Sequence, residues 1–200
     1  NFASKGVYAI FEDSKNRLWI GTKGDGLYII DNNHMVRHFK NDAKDKYSLC
    51  HNEIYCFDED PSGRIWIGTY EQGLAIADEK PDGSIKFISR SNNLGNYPST
   101  NLKIRRITHT QHGVMIISTN EGLVTCRNNI SKPNKIKFYV NKHIINDTTS
   151  LCSPDVMQTL VMRNNQIYVT TQGGGVQKIL SDNLLQNNIR FSTLKQFDND

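Results

Sequence analysis

Long hydrophobic runs are missing from this sequence of 200 residues. No stretch reaches the length of about 18 apolar residues that indicates a transmembrane helix, so the chain itself is not expected to span a membrane. The first residues, NFASKGVYAIFED, also lack the charged start and apolar stretch of a secretory signal peptide. Two expectations follow: either the protein is cytoplasmic, or the chain is cut from a longer one.

Concentrated charge and paired cysteines are scarce as well. The formal net charge of +4 is scattered rather than gathered in a basic block, so nucleic acid binding is not expected. The four cysteines form no CxxC pair and stand at no zinc-finger spacing with histidine. We expect free, mostly buried thiols, with disulfides in an oxidising compartment as the alternative.

Signatures of catalysis are not found either. No serine lies in a G-x-S-x-G motif, and His109–His112 lacks the HExxH pattern. The acidic run 58–60 begins like a calcium loop, but Thr69 stands where the bidentate glutamate should be. We therefore predict no catalytic residue, no metal ion and no cofactor.

What the sequence does contain is an internal repeat. A threonine recurs at spacings of 47, 50 and 52 residues, and a glycine followed by Leu or Val recurs after it. These landmarks are Thr22, Thr69, Thr119 and Thr171, and Gly26, Gly73, Gly122 and Gly175. Related stretches precede them (VYAIFED, IYCFDED, KIRRITH, VMQTLVM), and IKF, IKF and IRF follow the last three, with VRH as the weaker first copy.

Each copy is typical of four short strands. The first two are nearly continuous in apolar residues, which suits a sheet covered on both faces, and the outer two alternate more. Asn or Gly stands between the first and second strands and predicts a tight turn with positive φ, at Asn16, Gly63, Gly113 and Asn165. We predict an all-β fold, a β-propeller of four tandem four-stranded blades at residues 4–47, 51–97, 101–146 and 153–197.

Trp19 and Trp66 occupy one slot of the second strand, with Ile116 and Tyr168 at the same position in the later copies. Because a single blade cannot bury its own faces, we expect these side chains to fill the space between neighbouring blades. The alternative is an aromatic platform on which a sugar stacks.

The segments EDSKNRLWIGTKGDGL and EDPSGRIWIGTYEQGL resemble the two-component regulator propeller repeat. The lead-in segments YSLCHNEIYCF and TSLCSPDVMQ are also similar to an element of that family. The third and fourth copies depart from the pattern, since IIST and YVTT replace WIGT.

This resemblance implies a periplasmic sensor, the extracytoplasmic part of an inner-membrane protein. In that family two propellers, usually of about seven blades each, precede a small β-sandwich, a membrane helix and a histidine kinase. The chain itself would then be a non-enzymatic segment of a hybrid two-component regulatory system and respond to an oligosaccharide. We expect a homodimer in the parent protein, contact with an adjacent sensor domain, and a fragment of a larger ring rather than a closed four-bladed one.

Candidate ligand contacts lie on the loops between the second and third strands, which vary while their flanks repeat. They are Lys23, Asp25, Tyr70, Glu71, Gln72, Asn120, Glu121 and Gln172. An exposed Tyr70 could stack on a sugar, or it could be a solvated loop residue or meet a partner domain. Arg105 and Arg106 interrupt the third innermost strand, where they either hold an anionic sugar or pair with an acidic neighbour.

Two other functions stay open on the sequence alone. The first is a structural propeller that mediates dimerisation or protein contacts while another domain senses. The second is a propeller lyase or hydrolase, which would need acidic and basic residues converging on the central channel.

Overall fold

A computed structural model describes residues 6–128 and 132–194. The first sheet contains β1 (Val7–Glu12), β2 (Leu18–Thr22), β3 (Leu27–Ile30) and β4 (Val36–Phe39). The second contains β5 (Ile54–Glu59), β6 (Ile65–Thr69), β7 (Leu74–Glu79) and β8 (Ile85–Ile88). The third contains β9 (Ile104–His109), β10 (Val114–Thr119), β11 (Gly122–Arg127) and β12 (Tyr139–Asn141). The fourth contains β13 (Val156–Val161), β14 (Ile167–Thr171), β15 (Gly175–Ile179) and β16 (Phe191–Thr193).

Each sheet is an antiparallel meander whose strands lie side by side in chain order. The first strands of the blades, β1, β5, β9 and β13, pack beside one another in series and form the innermost row. The predicted all-β propeller of four four-stranded blades is confirmed. Each sheet lies within one predicted interval, although the outermost limits, 4 and 197, fall outside the described residues. In the described part of the chain, no helix is long and apolar enough to cross a membrane.

The first hairpin of every blade closes through a left-handed residue, as predicted. The φ angles are 56° at Asn16, 80° at Gly63, 73° at Gly113 and 63° at Asn165. Only glycine, and to a lesser extent asparagine, adopts this conformation without appreciable strain. The second recurring glycine has a further constraint, because a Cβ at Gly26 would collide with the carbonyl oxygen of Phe39.

The fourth strands of the last two blades begin later than the repeat predicts. Residues 136–138 do not pair, because Ile136 closes a 3₁₀ turn at Pro133–Lys135 and β12 starts only at Tyr139. In the last blade β16 starts at Phe191, since the Ile189 N–H instead donates to Asn141 Oδ1 of the preceding blade, at 2.8 Å.

The core consists of three clusters, each between two consecutive blades. Trp19 belongs to the cluster between the first two blades, Trp66 to the second cluster and Ile116 to the third. Trp19 is 1% exposed and Trp66 is fully buried, so both fill the space between blades as predicted and neither can serve as a sugar platform. Tyr168, at the same slot of the last blade, is half-buried.

One backbone hydrogen bond recurs between blades. The N–H groups of Gly26, Gly73 and Gly122 donate to the carbonyl groups of Asn52, Leu102 and Pro154 in the next blade, at 2.9, 2.9 and 2.8 Å. This bond, repeated at every junction, and the apolar clusters hold neighbouring blades in one orientation.

The two end blades differ from the middle ones in what covers them. In the middle blades, none of the apolar side chains of the innermost strands β5 and β9 is exposed. In contrast, Ile10 on β1 is 71% exposed and Leu160 on β13 is 57% exposed. The expected cover on both faces is therefore wrong for β1 and β13, because each of these strands has a neighbouring blade on one side only.

Candidate functional site

Each innermost strand has an irregularity at the same position, next to its first residue. The pairing register shifts between Val7 and Ala9 in β1, and equivalent shifts occur in β5, β9 and β13. The residues left out of the ladder are Tyr8, Tyr55, Arg105 and Met157. A bulge of this kind re-aims one side chain away from the regular pleat. We call the surface formed by Tyr8, Tyr55, Tyr70, Lys103, Arg105 and Asp155 the channel mouth.

Aromatic rings form a continuous row across the channel mouth. The ring centroids of Tyr8 and Tyr55 lie 4.8 Å apart, and those of Tyr55 and Tyr70 lie 5.1 Å apart, both edge to face. The ammonium group of Lys103 sits 4.2 Å from the ring centroid of Tyr70. Tyr70 is thus half-buried and packed on both sides rather than a freely solvated loop residue.

The electrostatic environment of this row is mixed. Burial raises the pKa of Tyr55, and nearby Tyr8, Tyr70 and Glu53 raise it further. Tyr55 therefore keeps its proton and can donate a hydrogen bond throughout the neutral range. Cationic groups are present close by, on Lys103 and Arg105.

Arg105 pairs with an acidic neighbour, which was one of the two expectations for it. Its Nη2 lies 3.0 Å from Asp155 Oδ2 and its Nε lies 3.3 Å from Asp155 Oδ1. A forked contact of this kind fixes the guanidinium plane. The pair joins the third blade to the fourth across the channel mouth.

Arg106 points elsewhere and is exposed. It lies near Asp58, whose carboxylate Oδ2 is 2.8 Å from His109 Nδ1. Burial raises the pKa of Asp58 even though His109 and Arg106 favour its charged form. The structure therefore separates the two arginines that the sequence places side by side.

The predicted loops do converge on one face. The backbone N–H groups of Lys23, Tyr70, Asn120 and Gln172 donate to the carbonyl groups of Gly6, Glu53, Lys103 and Asp155, at 2.8, 3.1, 3.1 and 2.9 Å. Each loop is therefore tied to the residue that leads into the innermost strand of its own blade. Glu71, Gln72 and Glu121 are exposed on the same loops. That these residues contact a ligand stays a prediction.

Asp25 is the exception among the predicted loop residues. It is buried, accepts a hydrogen bond from Tyr28 Oη at 2.5 Å and lies 2.6 Å from Lys40 Nζ. The hydrogen bond with Asp25, aided by burial, raises the pKa of Tyr28 to about 12. The structure thus places Asp25 in a network internal to the first blade, and not on the exposed rim with its neighbours.

Sequence reasoning missed four members of the channel mouth: Tyr8, Tyr55, Lys103 and Asp155. The repeat alignment already places Tyr8 and Tyr55 at the position of Arg105, so the register was available as a signal. No sequence signal marks the bulge that turns these side chains outward.

Metal and thiol chemistry receive little support from the geometry. Among residues 6–128 and 132–194, no group of three His, Cys, Asp or Glu side chains is placed to hold a metal ion. The four cysteines are free: Cys56 and Cys126 are buried, Cys50 is half-buried and Cys152 is exposed. Burial raises the pKa of Cys56 to about 12, so this thiol stays protonated and unreactive.

Comparison with solved structures finds other propellers. The extracellular domain of a protein assigned as a hybrid two component system of B. thetaiotaomicron aligns with a TM-score of 0.67 and 18% identity, over 88% of this chain and 22% of that one. Virginiamycin B lyase from Staphylococcus aureus aligns with a TM-score of 0.59 and 17% identity, over 96% of this chain and 56% of that one. A surface component of the type-IX secretion system of Porphyromonas gingivalis aligns with a TM-score of 0.56 and 11% identity, over 86% and 24%.

At these identities the likeness shows the fold, and the chain spans only 22% and 56% of the first two proteins it resembles. No curated protein matches the chain. The model of the two component regulator propeller, however, matches residues 1–24 and 48–71. Those segments contain the turn and the W-I-G-T strand of the first two blades. The chain is therefore a β-propeller segment whose first and second blades carry two-component regulator propeller repeats.

Proposed function

We propose that this propeller is an extracytoplasmic ligand-recognition segment of a hybrid two-component regulatory system, and that the channel mouth contacts an oligosaccharide. The repeats in the first two blades support the regulatory context. The observation that carries the ligand site is the row of Tyr8, Tyr55 and Tyr70, which ends on Lys103 and lies beside the pair of Arg105 and Asp155.

This arrangement has the chemistry that a sugar needs. Tyrosine offers an apolar ring for the C–H face of a pyranose and a hydroxyl group for its polar edge. Charged groups at the end of the row supply directional hydrogen bonds, and a rigid scaffold holds them in place. In this proposal the segment lies in the periplasm and the parent protein, not the segment, contacts the inner membrane.

The proposal is tested by calorimetric titration of the intact protein with a panel of neutral and acidic oligosaccharides. We expect Tyr70→Ala to weaken binding at the channel mouth about tenfold or more, the effect of removing one well-packed aromatic contact. Tyr47→Ala is a matched control, because Tyr47 is also a half-buried tyrosine, with Lys46 and Lys86 over its ring. Flat titrations with every sugar, or equal losses in both variants, would contradict it.

The exposed apolar faces of the end blades support a second element of the proposal. We infer that further blades cover Ile10 and Leu160 in the parent protein, giving a ring larger than four blades. The competing hypothesis is that these faces mediate dimerisation of a purely structural propeller. Leu160→Lys in the intact protein separates the two: loss of thermal stability at unchanged mass supports covering blades, whereas a change from dimer to monomer by light scattering supports dimerisation.

We propose no catalytic role for this segment. The likeness to virginiamycin B lyase is one of fold at 17% identity and brings no residue role with it. Turnover of an oligosaccharide by the purified protein would contradict this part of the proposal.

A further inference from the structure

We infer that the groove between the third and fourth blades, on the side of the first hairpin turns, binds a negatively charged oligosaccharide. This inference deepens the proposed function and depends on it for the class of ligand. The site is separate from the channel mouth, which lies where the loops enter the innermost strands.

The equivalent groove between the first and second blades is largely filled. Arg17 lies across it, with Nε at 2.7 Å from Asp13 Oδ2 and Nη1 at 2.8 Å from Glu79 Oε1 of the next blade. Lys15 adds a second contact to Glu79, at 2.7 Å between Nζ and Oε2. Only about 220 Å³ of space remains there.

In the third and fourth blades, other residues stand at most of these positions. By the repeat register, Thr110 stands in place of Asp13, Val114 in place of Arg17 and Ile116 in place of Trp19. On the opposite wall, Ser181 of the fourth blade stands in place of Glu79. The groove correspondingly has a volume of about 720 Å³, within the range of roughly 300–1,000 Å³ that is typical of small-molecule sites.

The walls combine apolar and hydrogen-bonding groups. Val114, Ile179 and Leu185 form an apolar surface, and Asn164 and Asn183 add amide groups. This mixture of apolar patches with a few amides suits a sugar, whose faces are apolar and whose edges carry hydroxyl groups.

The charge around the groove is positive. Arg127 lines it, and its Nη1 donates to the carbonyl oxygen of His112 at 3.2 Å, which orients the guanidinium. Arg127 and Leu185 also line a neighbouring cavity of about 300 Å³, whose walls include Lys132, Lys135 and Lys137. Asp182 is the sole carboxylate among the described residues that line either cavity.

These features select the ligand chemistry. A guanidinium recognises a carboxylate or sulfate through two parallel hydrogen bonds, and lysines along an extended cavity attract further negative charge. The groove and the lysine-lined cavity follow one another, so a chain of several acidic sugar units fits better than a single ion.

The test is calorimetric titration of the intact protein with hexagalacturonate, with neutral maltohexaose and with inorganic polyphosphate. We expect hexagalacturonate to bind and maltohexaose to bind at least tenfold more weakly. Arg127→Gln should weaken hexagalacturonate binding about tenfold, the loss expected for a charge-assisted contact. Arg37→Gln is the matched control, because Arg37 likewise donates to a turn carbonyl, that of Gly83, at 2.9 Å.

A second variant tests the groove by shape instead of charge. The double substitution Thr110→Asp and Val114→Arg restores the pair found in the first blade and should abolish binding while the melting temperature shows that the protein remains folded. Equal affinity for polyphosphate would overturn the carbohydrate part of the inference. Unchanged binding in Arg127→Gln or in the filled variant would overturn the site.

The outcomes also separate this inference from the proposed function. If hexagalacturonate does not bind but another sugar does, and Tyr70→Ala removes that binding, the groove inference fails and the channel mouth stands. If hexagalacturonate binds in an Arg127-dependent way that Tyr70→Ala leaves unchanged, the groove is a site of its own. If no oligosaccharide binds, both fail.

Discussion

The junction between the first and second blades and the junction between the third and fourth share one backbone geometry but differ in what fills them. At the first, the indole N–H of Trp19 donates to Asp13 Oδ2 at 2.7 Å, and the same carboxylate oxygen lies 2.7 Å from Arg17. At the junction between the third and fourth blades, Ile116 and Thr110 stand at the positions of Trp19 and Asp13, and these two side chains cannot form such a hydrogen-bonded network. The third blade forms its four-stranded sheet without the tryptophan and the aspartate of the repeat motif. These motif residues therefore matter for the contact between neighbouring blades rather than for the formation of the sheet.

The glycine of W-I-G-T supports the same conclusion. A Cβ at Gly21 would lie 2.8 Å from Ile54 Cγ2 of the next blade, closer than real side chains approach. In the third blade Ser118 occupies this position, and its hydroxyl lies 2.9 Å from the hydroxyl of Thr159. A buried hydrogen bond has thus replaced a close apolar contact at the junction.

The largest expected effect comes from removing the aromatic filler. Trp19→Ala should lower the free energy of unfolding by about 3–5 kcal/mol, because it leaves a large cavity and removes one hydrogen bond to the buried Asp13 carboxylate, whereas Ile116→Ala should lower it by about 2–4 kcal/mol. Urea denaturation followed by circular dichroism measures both. A loss at Ile116 that equals or exceeds the loss at Trp19 would show that the first junction does not depend on its motif.

The carboxylate that anchors the tryptophan comes next. Asp13→Ala should lower the free energy of unfolding by about 1–3 kcal/mol, since the buried indole N–H and the Arg17 guanidinium both lose an acceptor. Thr110→Ala, its counterpart in the third blade, removes only a hydroxyl that accepts from the Val114 N–H at 3.2 Å. We expect no more than about 1 kcal/mol there, and equal losses would erase the distinction between the junctions.

The hydroxyl pair of the third junction can be measured by a double-mutant cycle. Ser118→Ala, Thr159→Val and the combination should give a coupling energy of about 0.5–1.5 kcal/mol, because both hydroxyl groups are buried and face each other. Additive single effects would mean that the two groups do not stabilise this junction. Gly21 has no hydroxyl, so the first junction offers no such coupling.

Acid should reduce the difference between the junctions. Burial acts to raise the pKa of Asp13, but hydrogen bonds from Trp19 and Arg17 outweigh it and lower the pKa below 3.8. A depressed carboxyl pKa stabilises the fold above the unfolded value and loses that contribution as the pH falls through the folded value. The stability difference between the wild type and Asp13→Asn should therefore stay constant near neutral pH and shrink below pH 3.8. A stability difference that does not change with pH would contradict the lowered pKa of Asp13. Thr110→Ala is the control, because it removes no carboxyl group.

Much of the fold follows from the sequence because a blade is a local structure. Asparagine or glycine at the first turn of each blade indicates a positive φ there, as the structure shows at Asn16, Gly63, Gly113 and Asn165. The spacing of the threonines indicates the register of the strands. The late start of β12 could not be predicted, since it depends on a proline turn inserted before it. The exposure of Ile10 and Leu160 depends on neighbours, which strand patterns do not reveal.

The candidate site is predicted less well than the fold. The loops of Lys23, Tyr70, Asn120 and Gln172 share a face because they occupy the same place in each repeat. Asp25 belongs to the same loop set but is drawn inward by Tyr28 and Lys40, a competition that residue type alone does not decide. The sequence did not predict the groove beside Arg127. The groove exists because Thr110, Val114 and Ser181 leave open the space that larger side chains fill at the junction between the first two blades.

By itself, the sequence determined that this chain contains four blades, where their hairpin turns lie and which residues pack between them, because these depend on periodicity and on the conformational freedom of single residues. The tertiary structure decided which distant side chains meet. The row from Tyr8 to Lys103 crosses three blades, and the pair of Arg105 and Asp155 joins a fourth. Such contacts depend on bulges and on the distance between neighbouring blades, and both of these are properties of the packed sheets rather than of any one repeat.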